Sequence, residues 1–158
     1  TLFPFTTLVR ALTSSSEEKL AAAKALGADH GFNRKKEDWV DAVHRLTGER
    51  GIDHVVDTVG GSNVADSVRA VASHGRISLI GMMDTDDITV SGSMLLLKSP
   101  TVQGIGVGHR RALEDLVRAV DSIKLKPVID KRYSFSELTQ ALDQLDNGAF
   151  GKIVINVG

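Results

Sequence analysis

Short apolar runs rich in β-branched residues alternate with segments of helical period along most of the chain. That rhythm constrains the fold more than any other feature. Parallel strands need long crossovers and helices supply them, so the alternation predicts a mostly parallel sheet with helices on both faces, a doubly wound α/β fold. Leu8 to Thr13 reads as the first strand. Ser14 with Glu17, or Ser15 with Glu18, has capping-box spacing, so a helix starts there and stops at Gly27. His30 to Asn33 is a second strand, and Trp39, Val43 and Leu46 mark a helix that Gly48 ends. Ile52 to Asp57 is a third strand, after which Ser62 can cap a helix with Val64, Val68 and Val71 on its inner face. Arg76 to Ile80 is the fourth strand, Met82 to Asp87 an acidic loop, and Leu95 to Leu97 a short buried element. Thr101 to Val107 reads as a fifth strand, followed by a helix bearing Leu113, Leu116, Val117 and Val120. Ser134 and Glu137 open a last helix with Leu138, Ala141, Leu142 and Leu145, and Lys152 to Val157 closes the chain as a strand. With no repeat or linker in sight, residues 1–158 are expected to form one domain.

Composition removes several classes of function. The formal net charge is -1, so no basic field argues for nucleic acid. Arg34-Lys35-Lys36 is followed at once by Glu37 and Asp38, the pattern of a solvated surface. The chain has no cysteine, which excludes disulfides, cysteine nucleophiles and thiolate zinc sites within it. His30, His44, His54, His74 and His109 do not fall at metal-ligand spacing. The apolar runs are far shorter than a membrane span, and Thr1 to Arg10 lacks the pattern of a signal peptide, so a cytoplasmic protein is expected.

In an open parallel sheet ligands bind outside the carboxyl ends of the strands. Those ends carry Ser14-Ser15-Ser16, Asp57-Thr58-Val59-Gly60-Gly61, Gly81-Met82-Met83 and Gly104-Ile105-Gly106. Glycine at such turns lets a ligand approach the backbone without a Cβ in the way. Asp57 is placed to orient its loop through backbone hydrogen bonds, and no residue is assigned a catalytic role.

Three runs carry a family likeness. Gly51-Ile52-Asp53-His54-Val55-Val56-Asp57-Thr58-Val59-Gly60-Gly61, Gly75-Arg76-Ile77-Ser78-Leu79-Ile80-Gly81 and Gly151-Lys152-Ile153-Val154-Ile155 resemble segments of the medium-chain dehydrogenase/reductases. So does Ser14 to Asp29, and the likeness runs in register from about Val9 to Val157. The resemblance, to the alcohol dehydrogenase and quinone oxidoreductase type, implies a Rossmann domain that lacks its first βα unit. It also implies that the segment from about Tyr133 (133–158) packs on a GroES-like catalytic domain outside the 158 residues. The family's reaction is hydride transfer between a nicotinamide cofactor and a carbonyl, alcohol, enone or quinone. The positions implied for the cofactor are Ser14, Ser15, Lys19, Arg34, Thr58, Val59, Gly60, Ile80, Gly81, Met82, Gly104, Ile105, Gly106 and Lys152.

The departures are specific. The family's glycine-rich pyrophosphate turn is replaced by Thr1 to Thr7, and Gly104-x-Gly106-x-Gly108 lacks the spacing to substitute for it. In the strand order 3-2-1-4-5-6 the first strand lies mid-sheet. Its loss means that the chain is a fragment, that strands rearrange, or that another chain fills the gap. Ser14 stands where NAD-specific domains carry an acidic residue, and Lys19 and Arg34 are cations able to meet a 2′-phosphate. NADP is therefore expected ahead of NAD. Catalysis is expected only together with the catalytic domain; the alternative is a nucleotide-binding or oligomerisation module without chemistry of its own. The apolar Thr101 to Val107 edge suits a homodimer. A methyltransferase of Rossmann type would want an acidic residue where Ser14 stands.

Overall fold

The computed structural model describes residues 9–158. They form two compact units, the first reaching Gly106 and the second spanning Val107–Gly158.

In the first unit β1 (Ala11–Ser14) pairs in parallel with β2 (His30–Asn33), connected through α1 (Glu17–Ala25). After α2 (Trp39–Thr47), β3 (Ile52–Asp57), β4 (Val71–Leu79) and β5 (Thr101–Gly104) form a parallel three-stranded sheet in that order. α3 (Asn63–Ala70) connects β3 to β4, and α4 (Gly92–Lys98) precedes β5. The expected parallel α/β architecture is present, but the sheet is interrupted: β1–β2 and β3–β4–β5 share no ladder. The second unit holds α5 (Arg110–Ser122), β6 (Ile129–Ser134), α6 (Leu138–Asp146) and β7 (Lys152–Asn156), with β6 and β7 parallel.

Two apolar clusters hold the first unit. Val40, Val43 and Ala70 pack with Phe32, Trp39 and Ile52, and Val68, Val71 and Ile77 pack with Val55, Val90, Met94 and Leu95. α2 is set locally at both ends. The Asp38 carboxylate accepts from Val40 N and Asp41 N, and Gly48 closes the helix in the left-handed conformation.

Several expectations are corrected. The α1 cap is Ser16, whose hydroxyl accepts from Lys19 N, rather than a capping box at Ser14 or Ser15. The predicted first strand begins only at Ala11, and its Leu8 end lies outside the described residues. The fifth strand stops at Gly104, three residues short of Val107, although Ile105 N still donates to Leu79 O at 2.9 Å. Leu95 to Leu97 is not a buried element; it lies in α4, with Leu96 82% and Leu97 76% exposed. β6 was not legible, whereas the Ser134–Glu137 capping box was: both of its hydrogen bonds form, around a single 3₁₀ turn at Phe135–Glu137 that leads into α6.

α3 runs into β4 with no loop between them, and Val71 belongs to the strand rather than to the helix face. The β3–β4 register then jumps from Ile52↔Val71 to His54↔Arg76. The carbonyls left at this junction are taken by side chains from neighbouring helices. Lys98 Nζ donates to Val71 O at 2.7 Å and also to Arg69 O, which accepts from His44 Nε2 as well, at 2.8 Å. Burial, and then the nearby Arg69 charge, lower the Lys98 pKa from its ordinary value.

Candidate functional site

The carboxyl ends of β3 and β4 are joined through Asp57. Its Oδ1 accepts from Val59 N (3.0 Å) and Gly60 N (2.9 Å), and its Oδ2 from Asn63 Nδ2 (3.0 Å) and Ser67 Oγ (2.7 Å). The residue is 2% exposed. Burial pushes its carboxyl pKa up, but the donors from Gly60, Ser67, Val59 and Asn63 prevail and hold it below the ordinary value. A carboxylate so saturated with donors has no lone pair to offer a substrate proton; it shapes a loop.

The loop it shapes is locked to the next one. Asp57 O accepts from Ile80 N at 2.8 Å and Gly81 N at 3.2 Å, and Val59 O accepts from Met83 N at 2.7 Å. Gly60 adopts φ +75°, and a Cβ there would run into the Gly81 carbonyl. A Cβ on Gly81 would overlap the Thr58 carbonyl. These two glycines are thus demanded by the backbones of the paired loops, whereas a Cβ on Gly104 or Gly106 would meet nothing within 4 Å. Asp84 fastens the second loop from outside, accepting from Ser62 N at 3.1 Å and from the Ser62 hydroxyl at 2.6 Å. Ser62 occupies the N-cap position of α3, but its hydroxyl serves Asp84 and caps no helix N–H.

At the β1–β2 end, Ser14 accepts at Oγ from Ser16 N (3.2 Å) and at its carbonyl from Arg34 N (3.1 Å). Glu17 stands beside them, accepting from Asn33 Nδ2 at 2.5 Å and pairing with Lys36 Nζ at 2.7 Å. First Lys36 and then Asn33 hold its carboxyl pKa below the ordinary value. Arg34 also lines an open cleft of about 570 Å³ shared with Lys35, Lys36, Asp38, Trp39 and Asn63. Among the described residues Lys19 and Arg34 enter no ion pair, so their charges remain available.

The predicted positions therefore fall into groups. Ser14, Ser15, Lys19 and Arg34 lie at or just beyond the β1 and β2 ends, and Thr58, Val59, Gly60, Ile80, Gly81 and Met82 form the interlocked loops. Gly104 and Ile105 follow alongside β4, with Gly106 closing the first unit. Lys152 opens β7 in the second unit, where its N–H donates to Val128 O at 2.9 Å. Sequence reasoning missed Glu17, Asn33 and Lys36 on one side, and Asn63, Ser67 and Asp84 on the other. The i, i+4 spacing of Asn63 and Ser67 just beyond Asp57 was the one available signal.

Parallel strands joined by helices, with their carboxyl-end loops drawn together, define the Rossmann-like class of cofactor-binding domain. The zinc-binding dehydrogenase family pattern matches residues 9–122. A solved structure from Sinorhizobium meliloti 1021, a protein of the alcohol dehydrogenase kind, is 58% identical at a TM-score of 0.85 and covers 93% of this chain. A zinc-type alcohol dehydrogenase-like protein of Schizosaccharomyces pombe is 32% identical over 152 residues, 92% of this chain. An NAD-dependent alcohol dehydrogenase of Saccharolobus solfataricus is 30% identical over 142 residues, 88% of this chain. A more distant relative is named a quinone oxidoreductase. The chain belongs to the zinc-binding dehydrogenase family of medium-chain oxidoreductases. It spans 43%, 44% and 40% of those three relatives' lengths, in the order given.

Among the described residues no three His, Cys, Asp or Glu side chains gather as a metal set, so the zinc of the family's name finds no ligand set there. A nicotinamide dinucleotide fits better. Serine hydroxyls and two uncommitted cations at the β1–β2 end have the donor chemistry for ribose and phosphate. No helix among the described residues is long and apolar enough to cross a membrane.

Proposed function

We propose that the chain is the cofactor-binding portion of an NADP(H)-dependent oxidoreductase that transfers hydride to or from a carbonyl, alcohol, enone or quinone. In this role both units act as one cofactor-binding domain in the cytoplasm, and Lys152 joins the positions that hold the nucleotide. The substrate would be held largely by a catalytic domain outside these residues. The observation that carries the NADP(H) preference is the pairing of Glu17 with Lys36 and Asn33, which leaves Arg34 and Lys19 to set the local field. The bound cofactor would supply the hydride. The chain's own part is to seat the ribose and phosphate at Ser14, Ser15, Lys19 and Arg34 and to present the 58–60, 80–82 and 104–106 backbones to the rest. Calorimetric titration should give tighter binding of NADPH than of NADH. Lys19→Ala or Arg34→Ala should remove roughly 1–3 kcal/mol of that preference, the range of a charge-assisted hydrogen bond. Equal affinities for the two nucleotides would refute the assignment.

A second reading, an oligomerisation module, draws on β5. Among the described residues it pairs only with β4, on one edge, and Val102 on it is exposed. A symmetric dimer through the other edge would cover it. Ile105 is a poor place to test this, because its N–H serves the chain's own Leu79. Backbone direction alternates along a strand, so the Val102 N–H faces away from β4. Val102→Pro should convert a dimer to monomer in light scattering with β3–β4–β5 intact. A monomeric wild type at tens of micromolar would rule the dimer out.

A further inference from the structure

We propose that Asn147 is a modification site: the Gly148 nitrogen displaces its side-chain amide as ammonia, and the carboxylate that replaces it loosens the last turn of α6. Asn147-Gly148 is the chain's only asparagine–glycine pair; Asn33, Asn63 and Asn156 precede arginine or valine. A Cβ on the following residue would crowd the attacking nitrogen, and glycine has none. Both Asn147 and Gly148 are exposed, at the carboxyl end of α6, where helices fray. Asn33, by contrast, is buried, the Asn63 amide donates to Asp57, and Asn156 lies in β7.

The reaction needs only water. The Gly148 nitrogen, having given up its proton, bonds to Asn147 Cγ; the Cγ–Nδ2 bond breaks, ammonia leaves and a succinimide ring closes. Water then opens either carbonyl of that ring, giving aspartate, or isoaspartate with the main chain routed through the side chain. Two hydrogen bonds act as a brake. Gly148 N donates to Leu145 O at 2.9 Å and Asn147 Nδ2 to Asp143 O at 2.8 Å, so both reacting groups are held until the turn opens. Once the amide is gone, Asp143 O loses a donor and a carboxylate stands at a helix carboxyl end, where the macrodipole disfavours negative charge. Asp143 and Asp146 are already there, and the last turn of α6 carries no basic residue to offset another charge. The affected turn follows directly on Gln144, which ties α6 to β6 by donating to Asp130 Oδ2 at 2.6 Å and accepting from the Tyr133 hydroxyl.

The wild-type chain is incubated at mildly alkaline pH and digested at intervals, and its peptides are followed by mass spectrometry and isoaspartate detection. The Asn147 peptide should lose ammonia before those of Asn33, Asn63 and Asn156, and should yield both aspartate and isoaspartate. Unfolding the chain in urea should speed that loss about tenfold, the effect of freeing two hydrogen bonds at the low end of their usual strength. Asn147→Asp should speed amide exchange across Leu145–Gly148 and leave β1 and β2 unchanged. Asn147→Ser, which removes the amide without adding charge, should speed it less. The proposal is overturned if Asn147 keeps its amide, if another asparagine converts first, or if folded and unfolded chains react at the same rate. It is also overturned if Asn147→Asp exchanges no faster than Asn147→Ser.

Discussion

Replacing Asp57 with alanine should cost about 3–5 kcal/mol in denaturant unfolding, a large share of the 5–15 kcal/mol typical of a domain. The change strands two backbone N–H groups, the Asn63 amide and the Ser67 hydroxyl, in a place where the carboxylate is 2% exposed. An unsatisfied buried donor costs far more than a typical hydrogen bond contributes, which is why the effect exceeds that of a surface carboxylate. Asp57→Asn should lose less, because the amide oxygen still accepts while its NH₂ faces donors. The acid limb of the stability curve carries the same signature. The folded pKa of Asp57 is lowered, so its contribution is complete above the unfolded value of about 3.9 and is lost as pH falls through the folded value. In Asp57→Asn that part of the acid dependence should vanish. An alanine variant within about 1 kcal/mol of wild type, below even a typical point mutation, would show that the loops are held by other means.

Gly81→Ala should destabilise the chain by about 3 kcal/mol, the upper end for overpacking, while Gly104→Ala and Gly106→Ala stay within about 0.5 kcal/mol. The three glycines look alike in sequence, each at a strand's carboxyl end. At Gly81 the new methyl would meet the Thr58 carbonyl, an atom fixed by the backbone that cannot swing aside as a side-chain tip could. At Gly104 and Gly106 it would enter open space. Thermal unfolding of the three variants side by side decides the matter, and equal losses at all three positions would contradict the interlocked-loop account.

The contrast shows what could and could not be seen in the sequence. β2, β3 and β7 were legible because short runs such as His54-Val55-Val56 and Ile153-Val154-Ile155 are bounded by glycine or polar turns. The start of β4 was not, because Val64, Val68 and Val71 keep helical spacing across a junction where the chain has already changed conformation. β6 hid behind Asp130, Lys131 and Arg132; only Tyr133 within it is fully buried. The leucines of α4 read as core from composition alone, yet two of them face solvent. At the site, the loops were legible from their glycines and from Asp57, but the reason for the glycines was not. Gly60 is demanded by the Gly81 carbonyl and Gly81 by the Thr58 carbonyl, each more than twenty residues away along the chain, a relation that no local pattern encodes. Lys36 likewise reaches Glu17 across a strand pair, so the charge balance beside Ser14 exists only once β1 and β2 have paired.

The abrupt passage from α3 to β4 has a mechanical consequence. A single peptide oxygen, that of Arg69, receives the imidazole of α2 and the ammonium of α4 together. Three helices meet at one hinge pin, and α4, with two leucines turned outward, depends on that pin as much as on apolar packing. Any displacement of α4 must withdraw the Lys98 ammonium from both carbonyls at once. β5, entered only three residues after that lysine, inherits its position from that junction.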